Sequence, residues 1–192
     1  MSINIIFAIT SDNYFSSKDN DLPWKKILKS KYNIDSIRED QMFFKEITSK
    51  LKNHNSGINT IIMGRNTYTS IGKPLMGRNN IVISNKLKNF TNTNYTNLFF
   101  VDSLENAIKK GKDISDGDLF IIGGSDIIKE SIIHYEKYNI QNIYITKVNG
   151  IDIIEGNKMF YKIPEEFTQE ILHIVNSKYY ELKIIKYSKK II

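Results

Sequence analysis

This 192-residue chain contains no cysteine, which excludes disulfides, zinc–thiolate centres and thiol catalysis together. Such a chain fits a cytosolic or nuclear setting. No apolar run reaches the ~18–20 residues of a membrane span, and residues 1–10 lack the basic segment of a secretory leader. The expectation is a cytoplasmic protein with no membrane partner. No P-loop and no G-x-G-x-x-G occurs, so a standard Rossmann dinucleotide site is unsupported. The nucleophile motifs of hydrolases are missing. The three histidines, His54, His134 and His173, share no ligand spacing, so each reads as a surface or structural residue and no metal site is expected. Neither an internal repeat nor a domain linker is visible.

Arginine is scarce as well. Of 27 basic residues only Arg38, Arg65 and Arg78 are arginine. In a chain so biased to lysine, an arginine marks a place where a planar, bidentate fork for carboxylate or phosphate is wanted. The formal charge of +6 would suit an anionic ligand or nucleic acid. Lysine and asparagine are scattered, however, and no basic cluster is interleaved with aromatics, so nucleic acid is not expected as a partner.

What is present suffices for one core, and the expectation is a single domain over 1–192. Apolar residues make up 41% of the chain, which rules out wholesale disorder. Residues 3–9 form a nearly continuous apolar run, the pattern of a strand covered on both faces. Similar short runs follow at 59–63, 80–84, 98–101, 119–122 and 143–148. Helical stretches alternate with them. Phe43, Phe44, Ile47 and Leu51 make one apolar stripe. Asp102-Ser103-Leu104-Glu105 reads as a helix start with Gly111 as its stop, and 125–138 reads as a further helix. Strand character at 169–175 and 179–187 predicts a closing hairpin. The fold class expected is α/β: a central, mixed but mostly parallel eight-stranded sheet flanked by helices, ending in an antiparallel hairpin. Polar loops are expected at 53–59 and 85–97; the two glycosylation sequons at Asn89 and Asn94 read as chance.

The chemistry concentrates at strand-to-helix junctions. Met63-Gly64-Arg65-Asn66-Thr67-Tyr68 follows one strand, and Ile122-Gly123-Gly124-Ser125 follows another. Each glycine lets backbone approach a ligand, and each helix start offers N–H groups to an anion. Either junction alone would suit an ordinary tight turn. Together, with Gly72-Lys73-Pro74-Leu75-Met76-Gly77-Arg78 between them, their order and spacing resemble dihydrofolate reductase. The resemblance extends over Ile5 to Ala8, Leu22-Pro23-Trp24, Asp40 to Thr48, Ile62 to Arg78, Tyr144 to Thr146 and Glu155-Gly156-Asn157.

The resemblance implies hydride transfer from NADPH to the pterin of 7,8-dihydrofolate, with protonation at N5. The pterin acid would be Asp40, since D-x-x-x-F-K-x-x-T is met by Asp40, Phe44, Lys45 and Thr48. Asp35 would have Glu39 at i+4 and no apolar wall. Glu39 would have Phe43 but then Glu46 at i+7. Buried beside apolar walls, the Asp40 carboxyl is expected to titrate above free aspartate. It would polarise the pterin while a water protonates N5, oriented by the Thr146 hydroxyl, with Leu22 and Trp24 completing the catalytic set. Ile6, Ala8, Leu22, Phe44, Ile71, Leu75 and Ile122 would line the pterin pocket. Arg78 would fork onto the folate α-carboxylate, with Lys73 nearby.

For the cofactor, the resemblance implies Gly64, Arg65, Asn66 and Thr67 around the phosphates, with Ile83, Ser84, Asn85 and Lys86 flanking the 2′-phosphate. Gly123, Gly124, Ser125, Asp126 and Ile127 would face the nicotinamide and diphosphate, and Ala8 and Ile9 would hold the carboxamide. Some relatives are fused to thymidylate synthase, so fusion to or work with that enzyme is one expectation; a monomer is expected for the isolated domain. Four features depart from the family pattern. Residues 25–39 are an insertion beside the site, readable as a lid or partner surface. The catalytic loop 14–21 lacks its usual glycines. Ile128 replaces a common tyrosine, and Asn157 stands where an aspartate often supports the loop. A same-fold reductase acting on a riboflavin-pathway substrate is the alternative, opposed by Asp40 and Arg78.

Overall fold

The computed structural model describes residues 1–49, 57–84, 95–153 and 155–190. His54, Leu51, Asn85, Lys86, Asn89 and Asn94 lie outside the described residues, as does most of both expected polar loops. In chain order the elements are β1 (Ile3–Thr10), β2 (Tyr14–Ser16), α1 (Lys25–Tyr32), α2 (Arg38–Ser49), β3 (Thr60–Gly64), α3 (Arg65–Ile71), β4 (Asn79–Ile83) and β5 (Leu98–Val101). There follow α4 (Leu104–Ile114), β6 (Leu119–Gly123), α5 (Ser125–Ile133), β7 (Ile140–Asn149), β8 (Asn157–Lys158), β9 (Phe167–Asn176) and β10 (Glu181–Lys189).

Eight strands form one sheet in the order β5-β4-β3-β6-β1-β7-β10-β9, and β2 pairs with β8 apart from it. The pairs β1–β6, β3–β6, β3–β4 and β4–β5 are parallel. β10 runs antiparallel to both β7 and β9, so the sheet is mixed and closes with the expected hairpin. The molecule is therefore α/β with a mostly parallel sheet. Among the described residues no helix is long and apolar enough to cross a membrane.

The chain divides into two compact units, Met1–Ile5 with Lys45–Gln141 and Ile6–Phe44 with Asn142–Ile192. In the first, β3 and β6 are buried along their whole length, which is why their sequences read as unbroken apolar runs. α4 starts one residue later than its motif suggested. Ser103 is the N-cap, accepting from the Asn106 N–H at 3.2 Å, while Asp102 accepts from the Asn106 side chain at 2.6 Å. Gly111 does not stop this helix, which runs on to Ile114. A Cβ there would lie 2.8 Å from Leu119 Cδ2, so Gly111 serves close helix–strand packing. α5 is shorter than expected, ending at Ile133, with turns up to Asn139 at φ 54°.

The second unit packs Trp24, Leu28, Ile37, Val148, Ile153, Leu182 and Ile184 into one core cluster. Leu28 comes from α1, a helix inside the 25–39 insertion where sequence periodicity had suggested none. α1 is polar apart from Ile27 and Leu28, yet Leu28 is fully buried. The helix ends at Asn33, whose left-handed φ of 56° turns the next N–H, that of Ile34, back onto Leu28 O at 3.1 Å. Leu28 and Ile37 thus anchor the insertion in the core, while most of its other residues stay exposed.

Candidate active site

In the second unit α2 places Glu39 and Asp40 in its first turn. Asp40 is 9% exposed and Thr146, from the middle of β7, is 3% exposed. Burial holds the Asp40 carboxyl above its ordinary value, and a hydrogen bond from Thr146 pulls partly the other way. Both the pairing and the upward direction are those the sequence implied. The rival acids are engaged elsewhere: exposed Asp35 pairs with Lys29 at 2.8 Å, and Glu39 accepts from the Tyr180 hydroxyl at 3.1 Å.

Phe44 stands one turn beyond Asp40 and is half-buried, whereas Phe43 packs against the Tyr144 ring at 6.1 Å. Ile6 and Ile9 are buried, and Ala8 and Leu22 are half-buried against the core cluster. Trp24, expected in the catalytic set, is a fully buried member of the core cluster. Asn157, one of the departures, still supports the loop: its amide donates to Ser16 Oγ at 3.1 Å and to Ser17 O at 3.3 Å.

In the first unit β3 and β6 are parallel neighbours, with Met63 opposite Gly123, so both Gly-rich junctions open at the same end of the sheet. That carboxyl edge is where open α/β sheets bind ligands. Gly64 caps α3 and Gly124 caps α5, both extended and without a side-chain cap, and the Gly123–Gly124 peptide is cis. The two turns abut. A Cβ on Gly64 would lie 2.9 Å from Ile127 Cδ1 and 3.4 Å from Gly124 N, and one on Gly124 would lie 3.7 Å from Thr67 Oγ1. Arg65, Asn66 and Asp126 are exposed, while Thr67, Ser125 and Ile127 are half-buried. Ser84, just past Ile83 at the end of β4, is buried, and its N–H donates to Val101 O at 2.8 Å.

Arg78 is the one buried arginine, 7% exposed. Its Nη1 donates to Thr48 Oγ1 at 2.8 Å and its Nε to Met76 O at 3.2 Å, and burial lowers its pKa. Nη2 has no partner among the described residues. Ile71 ends α3 before Gly72, Lys73 is exposed, Leu75 is half-buried and Ile122 is buried.

Two supports escaped sequence reasoning. Thr48, used only as a spacing mark, orients Arg78. Asn80 is fully buried and holds the turn carrying Leu75 and Arg78, accepting from Leu75 N at 2.8 Å and donating to Leu75 O at 3.0 Å and Arg78 O at 2.9 Å. The available signal was an asparagine at the start of the apolar strand run 80–84, a polar group that demands partners when buried.

Comparison with known proteins agrees with this geometry. The family model described as dihydrofolate reductase matches residues 2–189. A dihydrofolate reductase of Bacillus subtilis is 29% identical over 98% of this chain and 95% of its own length. One from Buchnera aphidicola is 34% identical over 75% of this chain and 77% of its own. A bifunctional dihydrofolate reductase-thymidylate synthase of Arabidopsis thaliana is 30% identical over 69% of this chain, which spans 22% of that protein. The chain belongs to the dihydrofolate reductase family.

Proposed function

We propose that the chain reduces 7,8-dihydrofolate to tetrahydrofolate using NADPH. The observation that carries the reading is Asp40: a buried acid, on a helix one turn from Phe44, held by Thr146. Its carboxylate accepts from the pterin ring N–H and 2-amino group, which anchors the ring and raises the basicity of N5 for protonation by water. Ile6, Ala8, Leu22 and Phe44 supply apolar walls, and the Ile6 and Ile122 carbonyls accept from the amino substituent. Arg78, aligned by Thr48, offers its outer edge to the folate α-carboxylate, with Lys73 adding charge.

The residues present fit NADPH, because the glycine at 64 lets the two turns abut, a Cβ there meeting Ile127 and Gly124, so that two helix starts with uncapped backbone N–H groups lie side by side. Gly64 to Thr67 and Gly124 to Ile127 hold its phosphates on backbone N–H groups, Arg65 and Ser84 take the 2′-phosphate end, and Ala8 and Ile9 hold the carboxamide. NADPH, when bound, supplies the hydride to pterin C6; the protein aligns the rings and excludes water. In the cell this reading gives a cytoplasmic, monomeric domain that supports one-carbon metabolism and thymidylate synthesis.

Purified protein mixed with dihydrofolate and NADPH tests it, through the fall in near-ultraviolet absorbance of the reduced nicotinamide. Turnover on the order of 1–10³ s⁻¹ is expected. No turnover with dihydrofolate, or preference for a riboflavin-pathway pyrimidine, would overturn it.

A further inference from the structure

The loop before Leu22 is tied to the insertion helix through two carboxylates, Asp21 and Asp19. Asp21 Oδ1 accepts from the Leu22 N–H at 2.8 Å, and Asp21 Oδ2 accepts from Lys25 Nζ at 2.6 Å. The Asp21 backbone closes the loop on itself, accepting from Ser17 N at 2.8 Å, while Asp21 N donates to Ser17 Oγ at 3.2 Å. A second tether runs from Lys26 to Asp19, and on the loop's other flank Lys18 pairs with Glu155. Lys25 is a firm anchor because α1 is pinned by Leu28 in the core cluster. The inserted residues therefore reach the loop by charge and hold it from a rigid base.

We propose that Asp21 is a positioning residue: it fixes Leu22 against the pterin by joining the Leu22 amide to Lys25. The inference rests on the dihydrofolate reading only in what Leu22 faces. Asn at 21 keeps an oxygen for the Leu22 N–H but cannot pair with Lys25, and Ala keeps neither group.

Kinetics of wild type, Asp21→Asn, Asp21→Ala, Lys25→Met and the Asp21→Asn/Lys25→Met double variant, at low and high sodium chloride, test the proposal. The KM for dihydrofolate should rise about two- to fivefold in each conservative single variant, the range an exposed ion pair supports, with kcat changing less. Asp21→Ala should exceed them, and the double variant should be no worse than either single. High salt should bring wild type towards the variants, because exposed pairs are screened. Lys137→Met, which breaks a comparably exposed pair with Glu105, should behave as wild type. Additive single effects, or a wild-type KM in Asp21→Ala, would overturn the proposal. Trp24 is the sole tryptophan, so acrylamide quenching of its fluorescence reads the tether without substrate. Quenching should increase in Asp21→Ala; unchanged quenching overturns the tether. Absence of turnover in wild type would instead overturn the dihydrofolate reading.

Discussion

At Asp40 the same burial that suits ligand binding opposes folding at neutral pH. A carboxyl whose folded pKa is raised contributes stability below its unfolded pKa and loses it as pH rises through the folded value. Asp40→Asn removes that penalty and keeps a polar partner for Thr146. The variant should melt at or above the wild-type temperature at neutral pH, with the advantage vanishing on acidification. Its turnover should fall by about 10²–10³-fold, the scale of losing one electrostatic or acid–base group. Full activity, or a large drop in melting temperature, would refute the role. Arg78 presents the converse case, a buried cation already aligned by Thr48. Arg78→Lys loses the fork and the Thr48 bond, so dihydrofolate affinity measured by titration should weaken by about 1.5–3 kcal/mol. Unchanged affinity would remove Arg78 from the site. Asp40 was picked out in the sequence through the family's helix spacing, and Arg78 stood out with Arg38 and Arg65 by rarity before the resemblance gave it a role. The roles of Asn80 and Thr48 were not legible there, because they depend on partners distant in the chain.

At the scale of elements, α4 shows how packing overrides local preference. Gly111 is a poor helix former, and replacing it by Ala would gain about 1 kcal/mol in propensity. The new methyl would meet Leu119 at both Cδ2 and Cγ, 2.8 and 3.2 Å away. Overpacking of that kind costs about 1–3 kcal/mol, so Gly111→Ala should lower stability in denaturant titration. An increase would mean that Leu119 moves aside freely. The same competition explains the mistaken helix stop, since glycine ends helices so often that a packing glycine reads as a terminator. α1 was hidden for a related reason. Its eight residues carry too few apolar positions to show a period, and only the core around Leu28 makes it a helix.

For the whole molecule, ligand binding should appear as stability. If NADPH binds the folded state, a concentration about 100 times its dissociation constant adds about 2.7 kcal/mol. In a chain of this size that should raise the melting temperature by about 5–10 °C in a thermal shift measurement. Gly64→Ala, whose methyl would meet Ile127 and Gly124 and force the two abutting turns apart, should shrink the shift. No shift with NADPH, or an equal shift with NADH, would refute the cofactor assignment.

The amino-acid order alone determined the strand runs and the two Gly-rich junctions, because these are local patterns of apolar period and turn chemistry, and their order resembled a family whose spacing then pointed to Asp40 on α2. Only the tertiary structure decided that Gly111 packs rather than caps, that the insertion is a helix rooted in the core, and that Asn157 still holds its loop. Each of those outcomes rests on contacts between residues far apart in the chain, where space and hydrogen-bond partners, not local preference, select the conformation.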